Sequence, residues 1–385
     1  MTTIHGTNHP AFASVRETFA NHIASGVELG AALCVSVNGE TVVDLWGGST
    51  TTTSPKPWEH DTVVPVWSLT KLVTALSTLL LIDRKQLDPF APVTQYWPAF
   101  RASQDIEVRH LLSHSSGLSG WDTPPSPAEL YDLGLTTAKL ITQEPWWTPG
   151  SASGYHMLTQ GWLLGGLIRE VTGQASLSEF IKSELTRPLN VEDGFYLRIP
   201  EQEWPRIAEL VPPPNFAIPA LDPASVAMRT FLSAPLSVAS AATAEFRLAE
   251  MGASDGFGNA RALNKILSVV SLGGVVDGKR FLSPETVELI FQPQVSGVDL
   301  VLGEPVTFGV GMALARPLGP EWLPDGRRVG YWTGWGGSLG LMDAERGVTV
   351  TYTMNKMADG LRENGQCRDY VAAVYEALEG YLAGL

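Results

Sequence analysis

Residues 66–82 read Val66-Trp67-Ser68-Leu69-Thr70-Lys71-Leu72-Val73-Thr74-Ala75-Leu76-Ser77-Thr78-Leu79-Leu80-Leu81-Ile82. From Trp67 to Ile82 the residues are apolar or helix-forming, and Ser68 stands at the start, so the stretch reads as a buried helix. Ser68 and Lys71 are three residues apart, which puts both side chains on one face, about one turn from each other. A helix N-terminus offers unpaired N–H groups and the positive end of the dipole, both suited to a developing oxyanion. A lysine held in a dry pocket loses its proton near neutral pH and can act as a base. Ser-x-x-Lys occurs once in the chain. The same four residues would also fit a capped surface helix, but their apolar flanks argue against an exposed position. The apolar run from Leu72 to Ile82 is broken by Thr74, Ser77 and Thr78 and is too short to span a bilayer.

Upstream, Ala11 to Ala24 has helical spacing, with Phe12, Val15, Phe19 and Ile23 on one face. Gly30 to Val37 and Thr41 to Trp46 read as strands, and Asn38-Gly39 between them predicts a type I′ hairpin. Downstream, residues 84–300 read as helical patches separated by Pro/Gly loops, among them Ile106–Ser113, Leu158–Val171 and Ala260–Leu272. The proline-rich stretches 122–127 and 212–223 read as surface or lid loops. Strand character returns at Thr307–Ala315, Arg328–Thr333, Ser338–Met342 and Val348–Met354, and a last helix is expected from about Gly365 to Leu382. The pattern predicts an α/β domain from residues 1–83 and 301–385, with a mostly helical domain, 84–300, inserted between its strands and the active site between the two.

The chain has 385 residues, enough for about two structural units. With 26 Lys and Arg against 40 Asp and Glu, the net charge is −14. Such a surface repels phosphate backbones and anionic lipid, so no nucleic-acid or membrane partner is expected. Two cysteines, Cys34 and Cys367, cannot form a disulfide framework; they read as buried thiols of a reducing compartment, or at most one bridge. The first residues lack the basic start and apolar stretch of a signal peptide, so a soluble, cytoplasmic protein is expected. The 12 tryptophans are more than twice the number that average usage of about 1.3% gives. They read either as extra core or as an aromatic-lined pocket, since several flank the motifs.

Two other serines compete for the role of nucleophile. Gly252-Ala253-Ser254-Asp255-Gly256 and Gly336-Gly337-Ser338-Leu339-Gly340 both fit the Gly-x-Ser-x-Gly elbow, whose fold requires a histidine later in the chain. All histidines lie before residue 157, and Ser254 follows the helix-like stretch Ala241–Glu250 where an elbow needs a strand. Both segments therefore read as glycine loops. His110 and His114 have i, i+4 spacing but no glutamate between them and no evident third ligand, so they read as structural and no metal is expected.

At Ser68-x-x-Lys71 the chain resembles the serine β-lactamase and penicillin-binding-protein superfamily. The segments His110-Leu-Leu-Ser-His-Ser-Ser-Gly117-Leu118, Pro149-Gly150 with Tyr155, Thr172-Gly173-Gln174, Gly256-Phe-Gly-Asn-Ala-Arg261 and Gly334-Trp-Gly-Gly-Ser338 follow in that superfamily's order over about residues 30–355. The nearest likeness is to family VIII carboxylesterases and related transacylases. The resemblance implies an antiparallel sheet flanked by helices, with Ser68 as nucleophile and Lys71 and Tyr155 as its base system. It also implies an oxyanion hole from the N–H groups of Ser68 and Trp335, and no metal or organic cofactor.

Two departures bear on the substrate. The superfamily's Tyr-x-Asn is here Tyr155-His156-Met157, without the amide. Its third motif, Lys-Thr-Gly or His-x-Gly in the lactamases, is Trp332-Thr333-Gly334, without the cation that pairs a β-lactam carboxylate. Trp332, Thr333, Gly334, Trp67 and Met157 are thus expected to form an apolar substrate site for a small ester or acyl compound. The reading is a carboxylesterase; the alternatives are an acyltransferase using the same acyl-enzyme, a β-lactamase or D-amino peptidase, and a non-catalytic binding protein on the same fold.

Overall fold

The computed structural model describes residues 3–213, 221–360 and 365–384. The chain opens with strand β1 (Ile4–Asn8) and helix α1 (Ala13–Ser25), then β2 (Gly30–Val37) and β3 (Glu40–Gly48). After α2 (Thr70–Asp83) come α3 (Thr159–Thr172) and α4 (Ala260–Ser271), with shorter helices around them. Strands β4 (Val295–Val298), β5 (Pro305–Phe308), β6 (Ala313–Leu314), β7 (Val329–Thr333), β8 (Leu339–Asp343) and β9 (Val348–Met354) follow, and α5 (Gly365–Ala383) ends the chain. The nine strands form one antiparallel sheet in the order β1-β3-β2-β9-β8-β7-β6-β5-β4. This is the expected α/β architecture of an antiparallel sheet with helices on its faces.

The hairpin forms where the sequence predicts it. Asn38 and Gly39 both take positive φ, 51° and 85°, as a type I′ turn requires. The expected strand 307–315 is two strands, because Gly311 at φ 97° bends the chain between β5 and β6. Strand β1 was not anticipated. Its sequence, Ile-His-Gly-Thr-Asn, carries little apolar signal, and it is held as an edge strand by backbone pairing to β3.

Successive residues of a strand face opposite sides of the sheet, and β9 uses both. Thr349 and Thr351 face α4: Thr351 Oγ1 donates to the Ala260 carbonyl at 2.7 Å, and the Thr349 and Ser271 hydroxyls are 2.6 Å apart. Tyr352 faces the other way, its ring 5.0 Å from that of Tyr370 on α5. Helix α1, with the turn just before it, and α5 cover that second face together through Phe12 against Tyr381 and Phe19 against Tyr370. The sheet layer thus takes in α4 and β4, which lie within the 84–300 stretch of the sequence. The reason is α4's amphipathic pattern: Leu263, Ile266, Leu267 and Val270 are fully or almost fully buried, and Asn264 Nδ2 donates to the Cys34 and Thr349 carbonyls at 3.0 Å each.

The expected lid loop 212–223 lies largely outside the described residues. Cys34 and Cys367 are both free and buried. Among the described residues no helix is long and apolar enough to cross a membrane.

Helix α2 is buried along its length from Thr70 to Ile82, with Lys71 in its first turn and Ser68 just before its start. It has no solvated face to absorb a cavity. Leu79→Ala, at a fully buried position, is expected to lower stability by about 2–5 kcal/mol, read from the midpoint of denaturant unfolding.

Candidate active site

The segment that carries Ser68 is not a simple helix start. Residues Trp67–Leu69 form a 3₁₀ turn, and α2 begins at Thr70. Trp67 has φ 48°, a left-handed conformation that is uncommon for a bulky residue. The strained turn is held from three sides. Thr70 Oγ1 donates to the Trp67 carbonyl at 2.6 Å, Val66 N–H donates to Gly256 O at 2.9 Å, and the Trp67 ring packs 5.1 Å from Trp335 and 5.7 Å from Phe246.

Three chain segments that are distant in sequence meet at Ser68. Tyr155 Oη lies 2.8 Å and Lys71 Nζ 3.2 Å from Ser68 Oγ. Lys71 Nζ also donates to the Met157 carbonyl at 2.6 Å and the Ala253 carbonyl at 2.9 Å. Burial brings the lysine's pKa down from 10.5 to about 7, with the buried Asp255 carboxylate pulling the other way. A neutral amine has two N–H donors and one lone pair. With both donors taken by the two carbonyls, a neutral amine there could accept a proton from Ser68 Oγ, 3.2 Å away.

The expected third motif is brought to the same place, but Trp332 has a different position from the one expected. It is buried behind Tyr155, its rings 4.9 Å from the tyrosine, and it is not part of the cavity wall. Its indole N–H donates to Tyr155 Oη at 3.1 Å. Trp332 therefore stands where it can stabilise negative charge on the tyrosine oxygen, and its apolar face packs on Phe308. Thr333 is also buried behind the surface. Gly334 lets the strand end approach the nucleophile turn: a Cβ there would fall 2.5 Å from the Val66 carbonyl and 2.2 Å from Ser338 Oγ. The turn that follows carries Trp335 against Trp67.

His156 points away from Ser68. Its Nε2 lies 2.7 Å from Ser116 Oγ and its Nδ1 2.6 Å from the Gly154 carbonyl, and burial lowers its pKa to about 4. The ring is neutral, with Nδ1–H donating to the carbonyl and Nε2 accepting from the serine. His110 and His114 are structural: Glu107 N–H donates to His110 Nδ1, and His156 N–H to His114 Nδ1, each at 3.1 Å. Among the described residues no three His, Cys, Asp or Glu side chains form a metal-binding group.

A cavity of about 140 Å³ opens onto Ser68 and Tyr155. Trp67, Met157 and Trp335 line it as expected; Leu158, Phe231, Ala234, Leu236 and Ser254 line it too and were not anticipated. The helical segment with Phe231 and the loop with Ala234 and Leu236 carry no catalytic motif, and only the fold brings them here. A larger cavity of about 900 Å³ adjoins the first and shares Leu236 and Trp335 with it.

The sequence model described as Beta-lactamase matches residues 15–372. The chain belongs to the beta-lactamase family. This family member is 34% identical to the esterase/beta-lactamase LipL of Mycobacterium tuberculosis, over 93% of its own length and 84% of that protein's. The crystal structure of a family VIII carboxylesterase superposes with a TM-score of 0.91 at 30% identity, covering 97% of this chain and all of that one. A penicillin-binding protein homologue from Caulobacter crescentus superposes with a TM-score of 0.90 at 31% identity, over 97% of this chain and 100% of the other. Family and site together make this beta-lactamase family member a serine hydrolase or acyltransferase.

Three predictions follow from the geometry of this family member. Lys71→Ala and Tyr155→Phe should each lower kcat/KM for a simple ester by about three orders of magnitude, and the double variant should be little worse, because the two act on one proton. In the unaltered protein kcat/KM should fall as pH drops below about 7, where Lys71 becomes protonated; a flat profile down to pH 5 would remove Lys71 as base. Trp332→Phe keeps the ring and removes the N–H. It should lower kcat about 10- to 100-fold with little change in KM, the size of one hydrogen bond to a charged group.

Proposed function

We propose that this protein cleaves carboxylic esters of small molecules through an acyl-enzyme on Ser68. The observation that carries this reading is the Ser68–Lys71–Tyr155 cluster, within hydrogen-bond distance and at the edge of a small, mostly apolar cavity. Ser68 Oγ attacks the ester carbonyl as its proton passes to the Lys71–Tyr155 pair. The N–H groups of Ser68 and Trp335 stabilise the oxyanion. The alcohol leaves with a proton from the same pair, and water then releases the acid. No metal or organic cofactor takes part in these steps.

The walls favour esters over β-lactams. A β-lactam brings a carboxylate into the site, and a buried charge without a partner is costly. Trp332 lies where the lactamase motif has a cation, and its N–H is engaged with Tyr155. A cavity of about 150 Å³ holds one benzene ring, so a volume near 140 Å³ suits a short acyl chain or a single aryl group.

Acyl transfer is a second reading, favoured by the larger adjoining cavity. That space could hold an alcohol or amine against the acyl-enzyme in place of water. The product ratio when an alcohol competes with water separates the two readings.

Intact-mass analysis with p-nitrophenyl acetate or butyrate should give an acyl adduct on Ser68 that is absent from Ser68→Ala, while Ser338→Ala keeps most of the turnover. Nitrocefin should be turned over at a kcat/KM at least about tenfold to a hundredfold lower than the butyrate ester, the range expected for a missing charged partner. Nitrocefin turnover equal to that of the ester would replace this reading with a β-lactamase.

A further inference from the structure

The segment Gly252-Ala253-Ser254-Asp255-Gly256 is not a nucleophile elbow, yet the fold brings it to the reaction cavity. Ser254 is 4% exposed and lines the same cavity as Ser68. Its hydroxyl is buried and has no hydrogen-bond partner among the described residues. The other hydroxyls at this cavity, those of Ser68 and Tyr155, are bonded to each other. A buried polar group without a partner is unfavourable unless a ligand or water supplies one.

The hydroxyl is also held in a fixed position. The Asp255 carboxylate accepts from the N–H groups of Met251 at 2.8 Å and Gly252 at 2.9 Å, which folds the turn on itself. Three side chains of α2 then tie the turn to the helix that carries the lysine. Thr74 Oγ1 donates to the Gly252 carbonyl at 2.7 Å, Lys71 Nζ to the Ala253 carbonyl at 2.9 Å, and Thr70 Oγ1 accepts from Gly256 N–H at 2.9 Å. Ser254 therefore shares one rigid frame with the nucleophile, as a specificity contact requires.

We propose that Ser254 Oγ is a specificity-determining contact for the acyl group, and that the preferred substrates are esters of short acyl chains bearing a hydroxyl or keto oxygen. The proposal rests on Ser68 being the nucleophile. The small cavity takes the carbon chain between its apolar walls Met157, Leu158 and Leu236, and Ser254 Oγ is its unpartnered hydroxyl, placed to read a substituent on that chain beside the indole N–H of Trp67, which is also buried without a partner among the described residues. An unsubstituted chain buries the serine hydroxyl unpaired, whereas a hydroxylated chain pairs it. A site built around such a hydrogen bond discriminates against the analogue that lacks it.

The test compares p-nitrophenyl 3-hydroxybutyrate with p-nitrophenyl butyrate. The unaltered protein should favour the hydroxylated ester by about tenfold or more in kcat/KM. In Ser254→Ala that ratio should collapse towards one, with the variant's fold checked by its melting temperature. A ratio near or below one in the unaltered protein overturns the proposal without any variant. So does a preference that survives in Ser254→Ala. If Ser254→Ala instead slows release of both acyl groups equally, with the Ser68 adduct accumulating, the hydroxyl holds the deacylating water and the acyl contact is wrong. The Ser68 adduct in the unaltered protein separates the two levels: its presence with no ester preference sinks only the Ser254 contact, and its absence with every ester sinks both.

Discussion

Lys71 Nζ is fully enclosed, and its two short hydrogen bonds go to main-chain carbonyls from opposite sides of the site. A buried ammonium is costly, and two neutral carbonyls offset that cost only in part, so the pKa falls to about 7 and the amine form is populated at neutral pH. The same two carbonyls belong to the Tyr155–Met157 segment and the Gly252–Gly256 turn. Lys71 thus does two things at once. In the proposed mechanism it is the base towards Ser68, and it ties together the three stretches of chain from which the site is made.

The surrounding structure serves to keep that contact in register. The Trp67 turn is strained, and the packing of Trp335 and Phe246 against it offsets the strain. Trp332 backs Tyr155 with an N–H donor, so the tyrosine oxygen is set between an indole and Ser68. Asp255 is buried and its pKa is pushed up by burial, yet its carboxylate folds the turn whose carbonyl receives Lys71. In this arrangement a tryptophan N–H stands where the lactamases of the superfamily have a lysine or histidine. That change swaps a charge that could reach a substrate for a dipole directed at the tyrosine oxygen. It connects the ester reading to a specific hydrogen bond and not merely to apolar composition.

The cavity's size and its polarity act on different parts of a substrate. If the small cavity takes the acyl group, as proposed, its volume of about 140 Å³ suits a few carbons or one ring. In the proposed reading the hydroxyl of Ser254 adds a directional requirement to a mostly apolar wall. The adjoining larger cavity, beyond Leu236 and Trp335, is where the proposed reading puts a bulkier alcohol. A small acyl side and a large alcohol side suit both ester cleavage and acyl transfer, which differ only in what attacks the second time.

Much of this was readable from local sequence. Ser68 and Lys71 share a face because helical spacing requires it, and the Asn38-Gly39 hairpin forms because its two positions need positive φ. Strands β2, β7 and β9 and helices α3 and α4 appear close to where apolar periodicity predicts them, since each buries a continuous face. The order of the motifs was enough to bring in Tyr155 and the Trp332–Gly334 strand end. What local sequence could not determine is which way a side chain points once the segments meet. Trp332 reads as a wall residue, but an indole that can satisfy its N–H on Tyr155 turns inward. Ser254 sits in a segment that reads as a glycine loop, and its place at the cavity follows from the Asp255, Thr70, Thr74 and Lys71 contacts, all of which span long stretches of chain or depend on a particular turn. β1 gave no apolar signal because an edge strand is held by its backbone. Sequence by itself determined the fold and pointed to Ser68 and Lys71, because periodicity places the elements and the ordered series of motifs resembles one superfamily; the cavity and its polar contact were decided by tertiary structure, because they rest on side chains and hydrogen bonds that join segments far apart in the chain.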